Sequence, residues 1–189
     1  VKSQAEFLKD IIVSLEQAEI PYMLSGSLSS TFYGRPRSTQ DVDIVIEASI
    51  PKLRTLVAAL KNKDYYADDE AAMEAIAHTT GFNVFDASSG YRADLIIRKD
   101  RPYSVEEFER RRSVDLLGLS VYLVAPEDAI LSKLEWAKMG QSERQFADAL
   151  GVAIVQGEKL DWEYMRDWSR KLELDELYQR LVEESSKFR

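Results

Sequence analysis

Two aspartates two residues apart, Asp41 and Asp43, stand in the run Asp-Val-Asp-Ile-Val-Ile-Glu, where Val42, Ile44 and Ile46 alternate with them. Alternation of this kind reads as a strand with one apolar face and one face carrying both acids. Aspartate is depleted in strands, and two carboxylates on one face repel each other unless something positive lies between them. The pair therefore suits a hard cation such as Mg²⁺, which takes one or two carboxylates and shares its other positions with substrate phosphates. Fourteen residues before Asp41, Ser27 follows Gly26 at the expected start of a short helix. Free backbone N–H groups and the helix dipole favour an anion there, and Gly26 lets a backbone approach closely. An ordinary N-cap is the other reading of Ser27. Asp94, in Arg-Ala-Asp-Leu-Ile-Ile, falls on a second expected strand and would complete a two-metal arrangement. Its competing explanation is a salt bridge to Arg92.

These residues need a scaffold, and hydrophobic periodicity supplies one. Phe7, Leu8, Ile11, Ile12 and Leu15 recur at helical spacing before Pro21. A buried strand is expected at 22–24, a tight turn at 25–27, a helix at 28–33, a loop at 34–39 and the acidic strand from 41. Helices at 51–60 and 70–77, strands at 82–85 and 92–97, a helix at 105–109 and strands at 114–117 and 121–124 follow. After Pro126 the pattern becomes helical throughout, at 126–139, 142–155, 161–171 and 173–184, with breaks at Gly140, Gly157 and Lys171-Leu172.

Composition narrows the chemistry. The 189 residues hold 25 Lys+Arg against 33 Asp+Glu, a formal net charge of −8, with no Cys and a single His, His78. Thiol nucleophiles and disulfides are excluded, Cys/His zinc sites and Ser-His-Asp triads lose most of their ingredients, and any metal must take oxygen ligands. No stretch nears the roughly 18 apolar residues of a membrane span, and the amphipathic N-terminal segment lacks the apolar core of a signal peptide, so no membrane association and a cytoplasmic location are the expectation. The acidic balance argues against a broad nucleic-acid footprint. Local basic clusters remain at Arg35 with Arg37, and from Arg98, Lys99 and Arg101 to Arg110, Arg111 and Arg112.

Gly26-Ser27, Gly34, Arg37, Thr39, and Asp41 and Asp43 leading an apolar strand resemble the signature of the DNA polymerase β superfamily of nucleotidyltransferases, with Asp94 at the place of its third carboxylate. The match spans residues 22–97. A weaker likeness lies in Ala125-Pro126-Glu127-Asp128, then Lys133, Arg144 and Asp148, which are similar to the helical half of abortive-infection-type, toxin-like nucleotidyltransferases.

The resemblance implies an α/β (α+β) fold, a small mixed sheet flanked by helices with a C-terminal helical extension. The implied domains are a catalytic core at 1–125 and a helical bundle at 126–189 packed on it. It further implies that Asp41, Asp43 and Asp94 are catalytic and bind two Mg²⁺ ions, Mn²⁺ being an alternative. Gly26, Ser27, Arg37, Lys133 and Asp148 would bind the nucleotide. The implied reaction moves a nucleoside monophosphate from an NTP to an acceptor hydroxyl of tRNA or protein, with release of pyrophosphate. Two other readings stay open: a silent NTP- or partner-binding module of a toxin–antitoxin-like pair, with an antitoxin-like partner, and a small-molecule, antibiotic-type nucleotidyltransferase. Base preference and oligomeric state are not fixed by these residues.

Several residues carry a plainer expectation beside the functional one. Arg37 either holds phosphate or anchors its loop, and Thr39 caps the turn before the strand. Lys133, beside the apolar stripe of Ile130, Leu134 and Ala137, either serves the nucleotide or snorkels to solvent. Arg144 and Asp148 have the i, i+4 spacing of a surface ion pair, and Ser142 with Gln145 that of a capping box. Trp136, Trp162 and Trp168 are expected in the core.

Overall fold

The computed structural model describes residues 2–36 and 41–188. Arg37 and Thr39 lie outside the described residues. The contacts divide the chain into two compact units, the first holding 2–25 and 41–123, the second 26–36 and 124–188.

The first unit is built on a mixed sheet, seven-stranded among the described residues. Its strands are β1 (Tyr22–Ser25), β2 (Asp41–Ile46), β3 (Tyr66–Ala67), β4 (Gly81–Phe85), β5 (Arg92–Ile97), β6 (Arg112–Leu116) and β7 (Leu119–Leu123), in the order β3-β4-β5-β2-β1-β7-β6. β2 runs parallel to β5 and β1 parallel to β7, while the remaining neighbours are antiparallel. One face is apolar and buried, with Val42, Ile44 and Ile46 beside Ala93 and Leu95 and beside Phe82 and Val84. The opposite face of β2 and β5 is half-exposed and carries the acids. This unit also contains α1 (Gln4–Gln17), α3 (Ile50–Lys61), α4 (Asp69–His78) and α5 (Pro102–Glu109).

Local chemistry explains these helices. α1 opens on a capping box, the Ser3 hydroxyl accepting from the Glu6 amide and the Glu6 carboxylate accepting from the Ser3 amide, and buries Phe7, Leu8, Ile11, Ile12 and Leu15. Pro51 sits in the first turn of α3, where its missing N–H costs nothing. Asp10 on α1 accepts from Lys2 at 2.8 Å and from the Tyr65 hydroxyl at 2.6 Å, which ties the helix to the segment before β3.

The second unit is helical: α2 (Gly26–Tyr33), α6 (Pro126–Gly140), α7 (Glu143–Gln156), α8 (Trp162–Lys171) and α9 (Asp175–Ser186), with a 3₁₀ turn at Gly157–Lys159. α2 belongs here although it falls between two strands in chain order. Its last turn meets α7 backbone to backbone: a Cβ on Gly34 would stand 2.7 Å from Ser30 O, 3.0 Å from Val152 N and 3.1 Å from Gly151 C. The Gln156 amide also donates to Tyr33 O at 2.7 Å. At the start of α6, the buried Asp128 accepts from the Tyr164 hydroxyl at 2.6 Å, and the buried Glu127 accepts from the Asp161 amide at 3.2 Å. Among the described residues, no helix is long and apolar enough to cross a membrane.

The elements agree with the sequence pattern except in detail. β3, two residues long, has no periodicity to announce it, and the turn expected at 25–27 is absorbed, because β1 passes directly into α2 at Gly26 with φ +63°. That backbone angle strains an L side chain and suits glycine.

Candidate active site

Asp41 and Asp43 share the half-exposed face of β2, and the parallel register sets Asp43 opposite Asp94 and Asp41 opposite Arg92. Residues in register on paired strands project to the same side. Ser25 of β1 is opposite Asp43, and Asn83 of β4 is opposite Asp94. One row across four strands thus reads Ser25, Asp43, Asp94, Asn83. A second row sets Asp41 beside Arg92. Asp94, 51 positions from Asp43, thus shares one face of the first unit with Asp41, Asp43 and the basic Arg92.

Arg92 is the centre of the polar geometry. Its Nη2 donates to Asp41 Oδ2 at 3.0 Å and to Asp94 Oδ2 at 3.3 Å. Its Nε stands 3.1 Å from Asp94 Oδ1 without the alignment of a hydrogen bond, so both atoms are buried with no hydrogen-bond partner among the described residues. Loss of solvent pushes the Asp94 carboxyl above the usual aspartate range; the Arg92 charge pulls it back and the Asp41 charge pushes it up again. Asp94 is thus a carboxylate whose affinity for a proton is raised.

The donor chemistry fits Mg²⁺, which favours carboxylate oxygens, and Asp94 Oδ1 is a buried oxygen without a hydrogen bond. Convergence is a separate matter. Among the described residues no three acidic or imidazole side chains stand together as a cation site. The Arg92 guanidinium bridges two of the three acids instead.

The other anticipated residues lie in the second unit. Gly26 and Ser27 form the first turn of α2, half-buried, and the Ser29 and Ser30 hydroxyls donate back to Gly26 O at 2.8 and 3.2 Å. Lys133 of α6 and Asp148 of α7 form an ion pair of 3.1 Å, with side chains only 8% and 14% exposed. Lys133 also donates to Gln145 Oε1 at 2.8 Å. The snorkelling alternative for Lys133 is therefore corrected, because its ammonium finds two oxygen acceptors inside the helical unit. Gln145 differs from expectation for the same reason: its amide nitrogen donates to the Ser142 hydroxyl, but its side-chain oxygen is turned to Lys133. Trp136 is 60% exposed, not core.

The basic run is largely committed within the first unit. Arg98 pairs with Glu47 at 3.0 Å, Arg101 donates to the Ser104 hydroxyl, and the Arg111 guanidinium lies over the rings of Phe108 and Tyr122. The salt bridge to Arg92 expected as the competing role of Asp94 is present, but sequence reading misses that Arg92 also reaches Asp41, and it misses Ser25 and Asn83 at the ends of the row. Strand register alone puts them there.

No protein-family model matches the chain, and no curated protein matches it. Solved structures do. The antibiotic-resistance factor ANT(2'')-Ia in solution aligns with a TM-score of 0.59 at 12% identity, covering 89% of this chain and 91% of that one. Its crystal structure in complex with adenylyl-2''-tobramycin gives 0.58 at 12% identity, covering 97% and 99%. An antigenic nucleotidyltransferase-like protein from Paracoccidioides brasiliensis gives 0.51 at 15% identity, covering 91% of each chain. At such identities the likeness is one of fold, shared with the antibiotic-resistance factor and the nucleotidyltransferase-like protein.

Proposed function

We propose that the protein is a nucleotidyltransferase that moves a nucleoside monophosphate from an NTP to an acceptor hydroxyl. The observation that carries this reading is the register of β2 and β5, which lines up Asp43 with Asp94 and sets Asp41 on the same face. A fold shared with nucleotidyltransferases supports it, one of them in complex with an adenylylated tobramycin.

Asp41, Asp43 and Asp94 would hold Mg²⁺ or Mn²⁺, and a bound ion would neutralise triphosphate charge and polarise the α-phosphate. The chain's own contribution to the chemistry lies at Asp94. The acceptor oxygen attacks the α-phosphorus, the bond to the β-phosphate oxygen breaks, pyrophosphate leaves, and the acceptor proton passes to the Asp94 carboxylate. Gly26 and Ser27 would bind triphosphate through the amides of the first turn of α2. Arg37, Lys133 and Asp148 complete the proposed nucleotide contacts, with 126–189 as the helical domain that carries the last two. The acceptor is proposed to be tRNA or protein, as in toxin-like nucleotidyltransferases. The ANT(2'')-Ia complex makes a small molecule the second reading.

The test is label transfer from each α-labelled NTP, with Mg²⁺ or Mn²⁺, into tRNA, protein and small-molecule pools. Wild-type protein should label one pool and Asp43→Ala none, while both retain the same thermal melt. Transfer by Asp43→Ala at the wild-type rate would overturn the mechanism. NTP binding without label in any pool would favour a silent binding module.

A further inference from the structure

The acid face raises a physical question that the proposed function does not answer: how three carboxylates coexist there before any ion arrives. Arg92 supplies part of the answer, for Asp41 and Asp94. Its Cα is in register with Asp41, and its side chain lies two residues before Asp94 on the same face of β5. One guanidinium nitrogen reaches both carboxylates, at 3.0 and 3.3 Å, and Nε faces the remaining Asp94 oxygen at 3.1 Å. They belong to two of the three carboxylates proposed above to hold a divalent cation. We propose that Arg92 is the resident counter-ion of this site, a positioning residue that competes with the metal for Asp41 and Asp94 and is displaced when the metal seats.

The contacts have the features of an exchangeable lock. The Arg92 side chain is 43% exposed and that of Asp41 51%, so solvent replaces their hydrogen bonds at small cost. The planar fork of arginine spans two acceptors, which a lysine ammonium, a compact point charge, does less well. The Nε contact with Asp94 is misaligned, leaving an acceptor that a cation could satisfy better. A divalent ion carries twice the charge in a smaller volume and gains more from the same carboxylates.

This inference rests on the metal-dependent reading above, and the experiment separates the two. Mn²⁺ binding without nucleotide is measured by the loss of the free-ion paramagnetic resonance signal for wild type, Arg92→Met, Arg92→Lys and Asp43→Asn. Arg92→Met removes the charge and keeps the length, and should bind Mn²⁺ about tenfold more tightly than wild type, equivalent to ~1.4 kcal/mol. Arg92→Lys retains the charge and should stay within about threefold of wild type. Arg92→Met binding no more tightly than wild type, or Arg92→Lys matching Arg92→Met, overturns the counter-ion role. In either case Mn²⁺ binding that is lost in Asp43→Asn leaves the metal reading intact. No Mn²⁺ bound by any variant overturns both. A measurement on wild type covers the case in which Arg92→Met does not fold: the Arg92 ¹⁵Nε resonance, assigned by its absence in Arg92→Lys, should shift as Mg²⁺ is added. A resonance unmoved up to Mg²⁺ saturation overturns the proposal.

Discussion

Replacing Asp148 by Asn should cost stability far out of proportion to a change of one atom. Lys133 Nζ lies 3.1 Å from Asp148 Oδ2 and 2.8 Å from Gln145 Oε1, in a site where the lysine and aspartate side chains are 8% and 14% exposed. Coulomb's law at an effective dielectric near 20 gives about 5 kcal/mol of attraction at that distance, much of it offset by the desolvation of both charges. Breaking such a pair strands one charge, a loss of about 3–5 kcal/mol in buried cases. Gln145 still accepts from the ammonium, so the lower figure, about 3 kcal/mol, is expected. For a chain of this size that lowers the melting temperature by roughly 6–12 °C. Replacing both partners by Lys133→Met with Asp148→Leu removes the stranded charge and should recover most of the loss. Urea melts followed by circular dichroism, of Asp148→Asn and of the four proteins of the cycle (wild type, Lys133→Met, Asp148→Leu and the double variant), measure the cost and the coupling. A single-variant cost below about 1 kcal/mol, or a double variant as unstable as the sum of the singles, would refute the pair as a buried tie between α6 and α7. The same double variant bears on chemistry. If its NTP affinity equals that of wild type, the proposed nucleotide role of Lys133 and Asp148 falls.

Gly34→Ala should destabilise the helical unit by about 2 kcal/mol, because the added methyl meets backbone atoms of α2 and α7 that have no side-chain freedom to yield; an unchanged melting temperature would contradict the contact. Asp86 accepts from the Ser88 and Ser89 hydroxyls at 2.8 and 2.7 Å, hydrogen bonds that hold its carboxyl down to about 2 from the usual 3.8. A depressed pKa stabilises the folded state above the unfolded value and loses that contribution as pH falls through the folded one. The gap in stability between wild type and Asp86→Asn should therefore be constant above about pH 5 and narrow from about pH 4 to pH 2. Urea midpoints measured across that range check it, and a gap independent of pH would remove the hydroxyl contacts as its cause.

Much of this architecture is legible in the amino-acid order. Period-two alternation in 41–46 and 92–97 identifies β2 and β5 because one face of each strand is buried and the other is not. Pro126, the apolar spacing beyond it and the break at Gly157 mark most of the second unit, since these signals act within a turn or two of their own backbone. The acids are legible for the same local reason, as Asp41 and Asp43 must share a face once they are on a strand.

Pairing is a different kind of information. β3 has two residues and exists only because Tyr66 and Ala67 meet Phe85 and Val84. Asp94 is brought into line with Asp43 by a strand register set across 51 positions of chain, and Arg92 becomes a bridge between two acids only because that register also sets it opposite Asp41. Lys133 looks equally suited to solvent or to a ligand until α7 brings Asp148 and Gln145 against it. The sequence by itself determined most of the elements, β3 excepted, with their polarity and the face of β2 that carries charge, because helix and strand periods and turn residues are short-range constraints. Tertiary structure alone decided which charges meet, because a hydrogen bond or ion pair is fixed by ångström-scale placement that burial of the opposite, apolar face enforces.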